Sequence, residues 1–361
     1  MRRRTFLQSS LAAAVCALRS PRPACPTEPE TLRSAGVARK LLVGSAVSTR
    51  QLREPLFCKL IVEQCSIVVA ENAMKWGIVH PEPDRYDFSQ ADLLLHFAEE
   101  NRLRARGHNL CWHIQQPPWF DKIATTANAA KLLQNHIHAV AGRYAGRIHS
   151  WDVVNEAIQV EDGREDGLRT SNWCKLLGRD YISIAFQAAA ETDPNALLTY
   201  NDYDLEGDTP YHAKRRAATL ALLRWMRDTH VPIHALGLQS HLKAHPDGKP
   251  HWEQFHEFLN QVAQLDLQLF VTEFDVNDKE ITWDVPARDT RVAALGKDYL
   301  ENVLQHPQLK AVLTWGLSDR DTWLTGSEKL ADGLPQRPLP FDENLKPAPL
   351  FHAMLEALHP Q

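Results

Sequence analysis

Residues 148–156 read Ile-His-Ser-Trp-Asp-Val-Val-Asn-Glu, a run of β-branched and aromatic residues that ends in an amide and a carboxylate. Such a run is typical of a β-strand. The neighbouring segments, 127–144 and 180–192, have the apolar spacing of amphipathic helices. A strand with a helical segment on each side predicts a parallel β-sheet whose strands are joined by crossover helices.

The same alternation of strand and helix continues through the chain. Amphipathic stretches at 92–101, 210–230, 252–265 and 288–305 separate further apolar runs. Eight strand-like runs result, at residues 41–48, 66–71, 103–112, 148–156, 196–202, 234–241, 268–275 and 309–318. Eight such units predict an α/β fold, a single (β/α)8 TIM barrel.

Length and composition agree with one domain of this kind. A chain of 361 residues can hold a barrel with insertions, and no Gly/Ser linker or low-complexity tract indicates a second domain. With 44% hydrophobic and 24% charged residues, the chain has the composition of a globular protein. The formal net charge of -5 argues against a nucleic-acid-binding surface, so we expect no nucleic-acid partner.

The N-terminus has the pattern of an export signal. Arg2-Arg3-Arg4 precedes an apolar run at residues 11–18 that is too short to span a bilayer. The pattern resembles a twin-arginine signal peptide, and the alternative is a basic disordered tail. We therefore predict a signal peptide and leader at residues 1–30, a barrel domain at residues 31–361, and a periplasmic or secreted protein. We expect a monomer with no stable membrane association after the signal is cleaved.

Neither the cysteines nor the histidines suggest a metal centre. The six cysteines include no CxxC motif and no zinc-like cluster, so we interpret most of them as small buried hydrophobes. His108 and His113 are five residues apart on a predicted strand end, not four apart on a helix face. The sequence therefore predicts no metal and no cofactor. The ten tryptophans suit either core packing or stacking on sugar rings.

Two glutamates follow strand-forming runs that are expected to be buried. Glu156 closes the fourth predicted strand and Glu273 closes the seventh, so neither carboxylate is expected to be a solvated surface charge. In a barrel the carboxyl ends of the strands meet at one mouth, where catalytic groups gather. Glycoside hydrolysis needs a carboxylate pair of this kind. The alternative is a pair of buried, hydrogen-bonded structural acids.

Seven polar and aromatic motifs stand in order at or near the predicted strand ends. They are Glu71-Asn72-Ala73-Met74-Lys75-Trp76, Arg106-Gly107-His108-Asn109-Leu110-Cys111-Trp112-His113, Trp151-Asp152-Val153-Val154-Asn155-Glu156-Ala157, Tyr200-Asn201-Asp202-Tyr203, Gly237-Leu238-Gln239-Ser240-His241, Val271-Thr272-Glu273-Phe274-Asp275 and Trp315-Gly316-Leu317-Ser318-Asp319. In this order and with this spacing they resemble glycoside hydrolase family 10, the retaining endo-1,4-β-xylanases. The resemblance covers nearly all of the chain after the predicted leader, from about residue 44 to residue 348.

The resemblance implies hydrolysis of internal β-1,4-xylosidic bonds of xylan or xylo-oligosaccharides with retention of configuration. By it, Glu156 is the general acid/base and Glu273 is the nucleophile. His241 and Asp275 match the groups that orient the nucleophile. The positions that match sugar-binding residues are Glu71, Asn72, Lys75, His108, Trp112, Gln115, Asn155, Gln239, Trp315 and Trp323. The acid must stay protonated near neutral pH while the nucleophile stays ionised, so we expect their pKa values to be displaced in opposite directions.

Three departures from the family pattern concern substrate preference and not the reaction. An isoleucine, Ile114, precedes Gln115; Cys111 replaces an aliphatic residue; and the loop at residues 324–338 is short.

Three other functions remain open. A non-catalytic carbohydrate-binding barrel would predict the loss of one of the two glutamates, yet both are present. The others are a related barrel hydrolase acting on β-glucan, cellulose or a glycosylated small molecule, and a metal-dependent barrel enzyme.

Overall fold

The computed structural model describes residues 30–248, 250–282, 284–327, 330 and 333–359. The predicted signal peptide and leader lie outside these residues, apart from Glu30. The described residues from Thr31 onward belong to one structural unit. No helix in the described ranges is both long and apolar enough to cross a membrane.

Eight parallel strands of the described chain close into a barrel, which confirms the predicted (β/α)8 fold. Each strand pairs with the next, and the last returns to the first, where Leu42 lies opposite Ala311. The barrel strands are β1 (Leu42–Val47), β2 (Ile67–Ala70), β3 (Arg104–Cys111), β4 (Ser150–Asn155), β5 (Leu197–Asp202), β6 (Ala235–Leu238), β8 (Gln268–Asn277) and β9 (Leu309–Thr314). An additional three-residue strand, β7 (His241–Lys243), pairs with the end of β8, so the predicted sixth strand is interrupted before His241.

Helices surround the barrel and connect consecutive strands. They are α1 (Leu32–Ala38), α2 (Pro55–Gln64), α3 (Trp76–Val79), α4 (Ser89–Glu100), α5 (Phe120–Ile123), α6 (Ala129–Arg143), α7 (Asn172–Leu177), α8 (Asp180–Thr192), α9 (Pro210–Asp228), α10 (Glu253–Ala263), α11 (Val285–Val303), α12 (Leu324–Ser327) and α13 (Pro349–Leu358). Local sequence sets several of their starts: the Asp284 carboxylate accepts a hydrogen bond from the Ala287 N–H at the start of α11. Helices on the outside leave the carboxyl ends of the strands, and the loops that follow them, to form one face of the barrel.

The barrel interior contains both apolar and charged side chains. Ile67, Phe270 and Leu313 belong to the inner apolar cluster. Arg106 is also fully buried and forms an ion pair with Asp152, so each charge has a hydrogen-bonded partner. Every residue of β2 and β4 is buried, as expected for a parallel sheet covered on its outer side by helices.

Strand pairing becomes irregular where the barrel approaches its carboxyl-terminal face. The register of β3 against β4 shifts between His108 and Cys111, and that of β4 against β5 shifts between Asp152 and Val154. Irregularities of this kind bend a strand and change the direction of the side chains that follow. Here they precede the residues that line the mouth of the barrel.

Candidate active site

A cavity of about 490 Å³ opens at the carboxyl-terminal ends of the strands. Most of the predicted site residues line it together: Lys75, His108, Trp112, Asn155, Glu156, Gln239, His241, Glu273, Asp275, Trp315 and Trp323. Glu71, Asn72 and Gln115 are not part of this lining. The barrel therefore brings residues from six of its strand ends into one cavity, as the convergence argument predicts.

Glu156 is held at the mouth by its backbone and by three side-chain donors. It follows β4 with φ of 60°, a left-handed conformation that costs a non-glycine residue about 1 kcal/mol or more. Its N–H donates to the Asn201 carbonyl at 2.8 Å. Its carboxyl group accepts hydrogen bonds from Asn155 Nδ2 (3.0 Å), Gln239 Nε2 (3.0 Å) and Trp112 Nε1 (2.9 Å). The position of this carboxyl group is therefore strongly constrained.

Glu273 lies near the end of β8 and has two side-chain partners. Its Oε1 accepts a hydrogen bond from Asn201 Nδ2 at 2.7 Å, and its Oε2 lies 3.3 Å from His241 Nε2. The side chain is buried, with only 5% of the residue surface exposed. Both oxygens thus face groups that stabilise the ionised form.

The two glutamates have pKa values displaced in opposite directions. Burial raises the pKa of Glu156; the Gln239 and Trp112 hydrogen bonds oppose this, and the nearby charges of Asp202 and Glu273 add to it, so the pKa is raised. Burial also acts to raise the pKa of Glu273, but the His241 hydrogen bond, the charges of His108 and His241, and the Asn201 hydrogen bond lower it to about 2. The Glu156 carboxyl group therefore keeps its proton to a higher pH than an ordinary glutamate, and Glu273 stays ionised to a lower pH.

A chain of amide groups connects the two carboxyl groups. Asn201 Nδ2 donates to Glu273 and also to Asn155 Oδ1, at 2.7 and 2.8 Å. Asn155 Nδ2 in turn donates to Glu156 at 3.0 Å. Thr272 Oγ1 orients the first amide by donating to Asn201 Oδ1 at 2.7 Å. Because β4, β5 and β8 each contribute a member, the relative position of the two carboxyl groups depends on the barrel itself.

A second chain of contacts leads from Glu273 towards the outer rim. His241 Nδ1 lies 2.9 Å from Asp275 Oδ1, and Trp323 Nε1 donates to Asp275 Oδ2 at 2.8 Å. Burial disfavours a charged His241, but the carboxylates of Asp275 and Glu273 outweigh it and raise the His241 pKa well above its usual value. The imidazolium is therefore stabilised between two carboxylates, which keeps Glu273 anionic and fixes its rotamer.

Lys75 and two tryptophans form the other side of the cavity. The Lys75 ammonium lies 5.0 Å from the ring centroid of Trp112 and 5.8 Å from that of Trp315. It donates to Asn72 Oδ1 at 3.0 Å, and Asn72 Nδ2 donates to Glu71 at 3.1 Å. Glu71 and Asn72 are therefore connected to the cavity through Lys75, although they do not line it. Their predicted sugar-binding role stays a prediction.

His108 and Gln115 differ in how the structure places them. His108 is buried and its Nδ1 lies 2.9 Å from Asp152 Oδ2, which leaves the ring at the cavity wall. Gln115 is exposed, with φ of 54°, and its backbone carbonyl accepts a hydrogen bond from the Gly77 N–H. The neighbouring Ile114 lines the cavity instead. The left-handed turn therefore places the isoleucine side chain, and not that of Gln115, at the wall.

Several residues at the site received no role from the sequence. Asn201 was part of a strand-end motif, but its bonds to both Asn155 and Glu273 could not be seen in the sequence. Arg169 and Tyr203 line the cavity beside Glu156, and only the motif that contains Tyr203 gave a signal. No group of histidines, cysteines and acids within the described ranges has an arrangement that could hold a metal ion.

Comparison with known proteins identifies the family. The family model described as Glycosyl hydrolase family 10 matches residues 31–357. Endo-1,4-beta-xylanase B of Paenibacillus barcinonensis is 35% identical over 336 residues, which cover 88% of this chain and 96% of the relative. The crystal structure of native xylanase 10B from Thermotoga maritima superposes with a TM-score of 0.83 at 31% identity, covering 91% of this chain and 98% of the other. Xylanase 10B from Thermotoga petrophila RKU-1, solved in complex with xylobiose, also gives 0.83, at 30% identity and with coverage of 92% and 98%. As its strand-end motifs predict, the chain belongs to glycosyl hydrolase family 10 and is a glycoside hydrolase.

Proposed function

We propose that this protein is an endo-1,4-β-xylanase that hydrolyses internal bonds of xylan with retention of configuration. Glu156 donates its proton to the leaving oxygen while Glu273 attacks the anomeric carbon, which forms a covalent glycosyl-enzyme and breaks the glycosidic bond. Glu156 then accepts a proton from water, which attacks the same carbon from the opposite side and releases Glu273. The relatives named above support xylan as the substrate.

The observation that carries this mechanism is the opposite displacement of two pKa values within one cavity. Glu156 has a raised pKa because it is buried, whereas the pKa of Glu273 is lowered to about 2. Opposite displacement of two carboxyl pKa values within one cavity is what a proton donor and a nucleophile require. His241 and Asn201 supply the difference because both face Glu273.

Replacement of the nucleophile tests the mechanism directly. We expect Glu273→Ala to lose turnover while remaining folded, because the covalent intermediate cannot form. Azide should restore turnover of an activated aryl xylobioside in this variant, with an inverted glycosyl azide as product. Glu82→Ala removes an exposed glutamate outside the cavity and should leave the rate unchanged. A Glu273→Ala variant with a near-native rate would remove this residue from the nucleophile role.

Retention also has a geometric and a stereochemical test. The carboxyl groups of Glu156 and Glu273 should be about 5–5.5 Å apart, because in a retaining enzyme the second carboxylate attacks the sugar itself and no water stands between it and the substrate. The first product observed by NMR should be the β-anomer. Initial release of the α-anomer would contradict retention.

The preference for xylan over cellulose is assigned to steric exclusion by Trp323. Its side chain lines the cavity, and its indole is fixed by the hydrogen bond to Asp275. A hexose carries a hydroxymethyl group that a pentose lacks, and forcing it against this ring costs about 1–3 kcal/mol, a preference of about tenfold or more. We expect kcat/KM to be higher for an aryl xylobioside than for the matched cellobioside, and Trp323→Ala to narrow the difference. If the wild type had equal kcat/KM for the xylobioside and the cellobioside, the assignment as a xylanase would be wrong, although a retaining β-glycanase would still fit.

Export from the cytoplasm is the remaining part of the proposal. The paired arginines and apolar run at residues 2–18 support it, and a polymeric substrate must be met outside the cell membrane. We expect a fusion of residues 1–30 to a folded reporter to be exported, and Arg3→Lys/Arg4→Lys to retain the reporter in the cytoplasm. Export of the double variant by the general secretory route would exclude the twin-arginine pathway.

A further inference from the structure

The backbone of Glu156 has a partner that the catalytic scheme does not use. The left-handed residue turns its carbonyl oxygen out of the β4–β5 pairing, where the oxygen accepts a hydrogen bond from Arg169 Nε at 2.9 Å. Its N–H remains bonded to the Asn201 carbonyl. The peptide groups on both sides of the Glu156 Cα are therefore fixed, one by the neighbouring strand and one by a side chain.

Arg169 reaches this position because the loop after β4 folds back on itself. Ile158 and Leu168 form an isolated antiparallel bridge, and the Arg169 N–H donates to the Ala157 carbonyl at 2.7 Å. The guanidinium then extends towards the cavity, where NH2 donates to the Tyr203 hydroxyl at 2.8 Å. The planar Arg169 guanidinium thus contacts Glu156, the residue after β4, and Tyr203, the residue after β5, at the same time.

The charge of Arg169 is not neutralised by a close carboxylate. In the described ranges no acidic oxygen lies within ion-pair distance of its guanidinium, whose donors contact two backbone carbonyls and one hydroxyl. By contrast, the guanidinium of Arg164 in the same loop forms an ion pair with Asp166 at 2.7 Å. A half-buried cation without an adjacent anion interacts with carboxylates at longer range, and those of Glu156 and Asp202 are among the groups that raise the Arg169 pKa.

We propose that Arg169 is a positioning residue for Glu156: by holding the carbonyl of this left-handed residue, it aims the carboxyl group at the leaving-group oxygen. The inference rests on the proposed function, because it needs Glu156 to be the proton donor. Arg169 acts through Glu156 and transfers no proton itself. A displaced acid loses catalysis steeply with distance, since a misplacement of about 1 Å can lower a rate about a hundredfold.

Two substrates with the same sugar and different leaving groups separate positioning from general structural damage. Phenyl β-xylobioside needs a proton on its leaving oxygen, whereas 2,4-dinitrophenyl β-xylobioside departs without one. For each, kcat/KM reports the steps up to formation of the glycosyl-enzyme. We expect Arg169→Met to lower kcat/KM about thirtyfold for the phenyl substrate and less than about threefold for the dinitrophenyl substrate, part of the 10²–10⁴-fold contribution of a general acid.

Two further variants complete the comparison. Arg169→Lys keeps the positive charge and an N–H donor, so we expect an intermediate loss of kcat/KM for the phenyl substrate. If Arg169→Met does not fold, Arg169→Lys alone tests whether Arg169 positions Glu156. Arg164→Met is the matched control from the same loop and should change neither rate.

The basic limb of the pH profile gives a second readout. The charged and titratable groups that share the cavity with Glu156 include Glu273, Lys75, His113, His241, Tyr203 and Arg169, and the Asp202 carboxylate also raises its pKa. Removal of the Arg169 cation destabilises the ionised form of Glu156, so the basic limb of Arg169→Met should move to higher pH. Arg169→Lys should move it less.

The outcomes distinguish this inference from the proposed function. Glu156→Ala should lower kcat/KM far more for the phenyl substrate than for the dinitrophenyl substrate. Suppose that Glu156→Ala loses more kcat/KM for the phenyl substrate than for the dinitrophenyl substrate. If the two Arg169 variants then lose none, or lose it equally for both substrates, Arg169 is only a structural residue and the inference is wrong. If Glu156→Ala lowers kcat/KM equally for the two substrates, Glu156 is not the acid, and both the acid/base assignment in the proposed function and this inference are overturned.

Discussion

Replacement of Asn201 by alanine should affect both catalytic carboxyl groups at once. The amide is fully buried, donates to Glu273 Oε1 and Asn155 Oδ1, and accepts from Thr272 Oγ1. Alanine removes all three hydrogen bonds and leaves space behind. Glu273 keeps its His241 partner, but Asn155 Oδ1 loses the shorter of its two donors and keeps only Gln239 Nε2 at 3.4 Å.

The magnitude follows from the kind of bond lost. A hydrogen bond to a charged group contributes about 1.5–3 kcal/mol and a neutral one about 1 kcal/mol, so we expect a loss of about 3–5 kcal/mol in the free energy of unfolding. The pKa of Glu273 should rise from about 2, because the Asn201 donor is one of the groups that lower it. Since both carboxyl groups lose a fixed orientation, kcat/KM should fall about 10–100-fold.

The assay combines denaturant unfolding with kcat/KM for an aryl xylobioside from pH 3 to pH 9. The acid limb should move to higher pH, because Glu273 protonates more readily. Asn128→Ala is the control: it removes an amide that bonds to the Thr125 N–H and the Ile123 carbonyl outside the cavity, so only a small stability loss is expected. If Asn201→Ala kept kcat/KM within threefold of wild type and an unmoved acid limb, the amide chain would have no catalytic role.

Four further results are expected. The acid limb of the wild-type profile should lie below that of an ordinary glutamate and the basic limb above it, because the pKa of Glu273 is lowered and that of Glu156 is raised; a profile centred on usual glutamate values would contradict both. Since the folded pKa of Glu273 is depressed to about 2, its contribution to stability is present above its unfolded pKa of about 4.3 and is lost as the pH falls through about 2, which acid titration of the unfolding free energy measures. Gly107→Ala should lower the unfolding free energy by about 3 kcal/mol or more, because the new Cβ would lie 2.0 Å from the buried Trp151 ring, whereas a Cβ at Gly326 meets no atom of the described residues within 4 Å and Gly326→Ala should be nearly neutral in thermal denaturation. Incubation with a chelator should leave the rate on xylan unchanged, because no histidine, cysteine and acid group in the described part of the chain is arranged to hold a metal; loss of activity restored by a divalent cation would reverse this expectation.

The strand pattern predicted the fold because buried parallel strands carry a strong apolar signal. Residues 148–156 illustrate this: the observed strand is Ser150–Asn155, within two residues of the predicted bounds. The position of Glu156 followed from the same pattern, since a polar residue directly after a buried strand of a barrel has to emerge at the mouth. Glu273, in contrast, lies inside β8, which continues to Asn277. The interruption before β7 was not predicted, because the left-handed conformation of Ser240 gives no signal in the apolar pattern.

The contacts of the site were less predictable than its location. Asn201 and Arg169 act through partners that are 46 to 72 and 13 residues away in sequence, so only the folded barrel shows what they bind. Ile114 lines the cavity beside the left-handed Gln115, an arrangement that the sequence did not indicate, and the sugar-binding role of Gln115 stays a prediction. Residue type indicates which chemistry is available, whereas side-chain direction depends on local backbone angles that composition does not determine.

The hydrogen bond from Trp323 to Asp275 has a consequence for attempts to alter this enzyme. An engineer who wants a hexose-accepting variant would shorten Trp323, which lines the cavity and is 39% exposed. The same change withdraws the indole N–H from Asp275, the residue that holds His241 against Glu273. A wider opening and a well-oriented nucleophile are thus opposing demands at residue 323. A library of variants at this residue should include smaller side chains that keep an N–H donor, such as glutamine or histidine, and should not be selected for size alone.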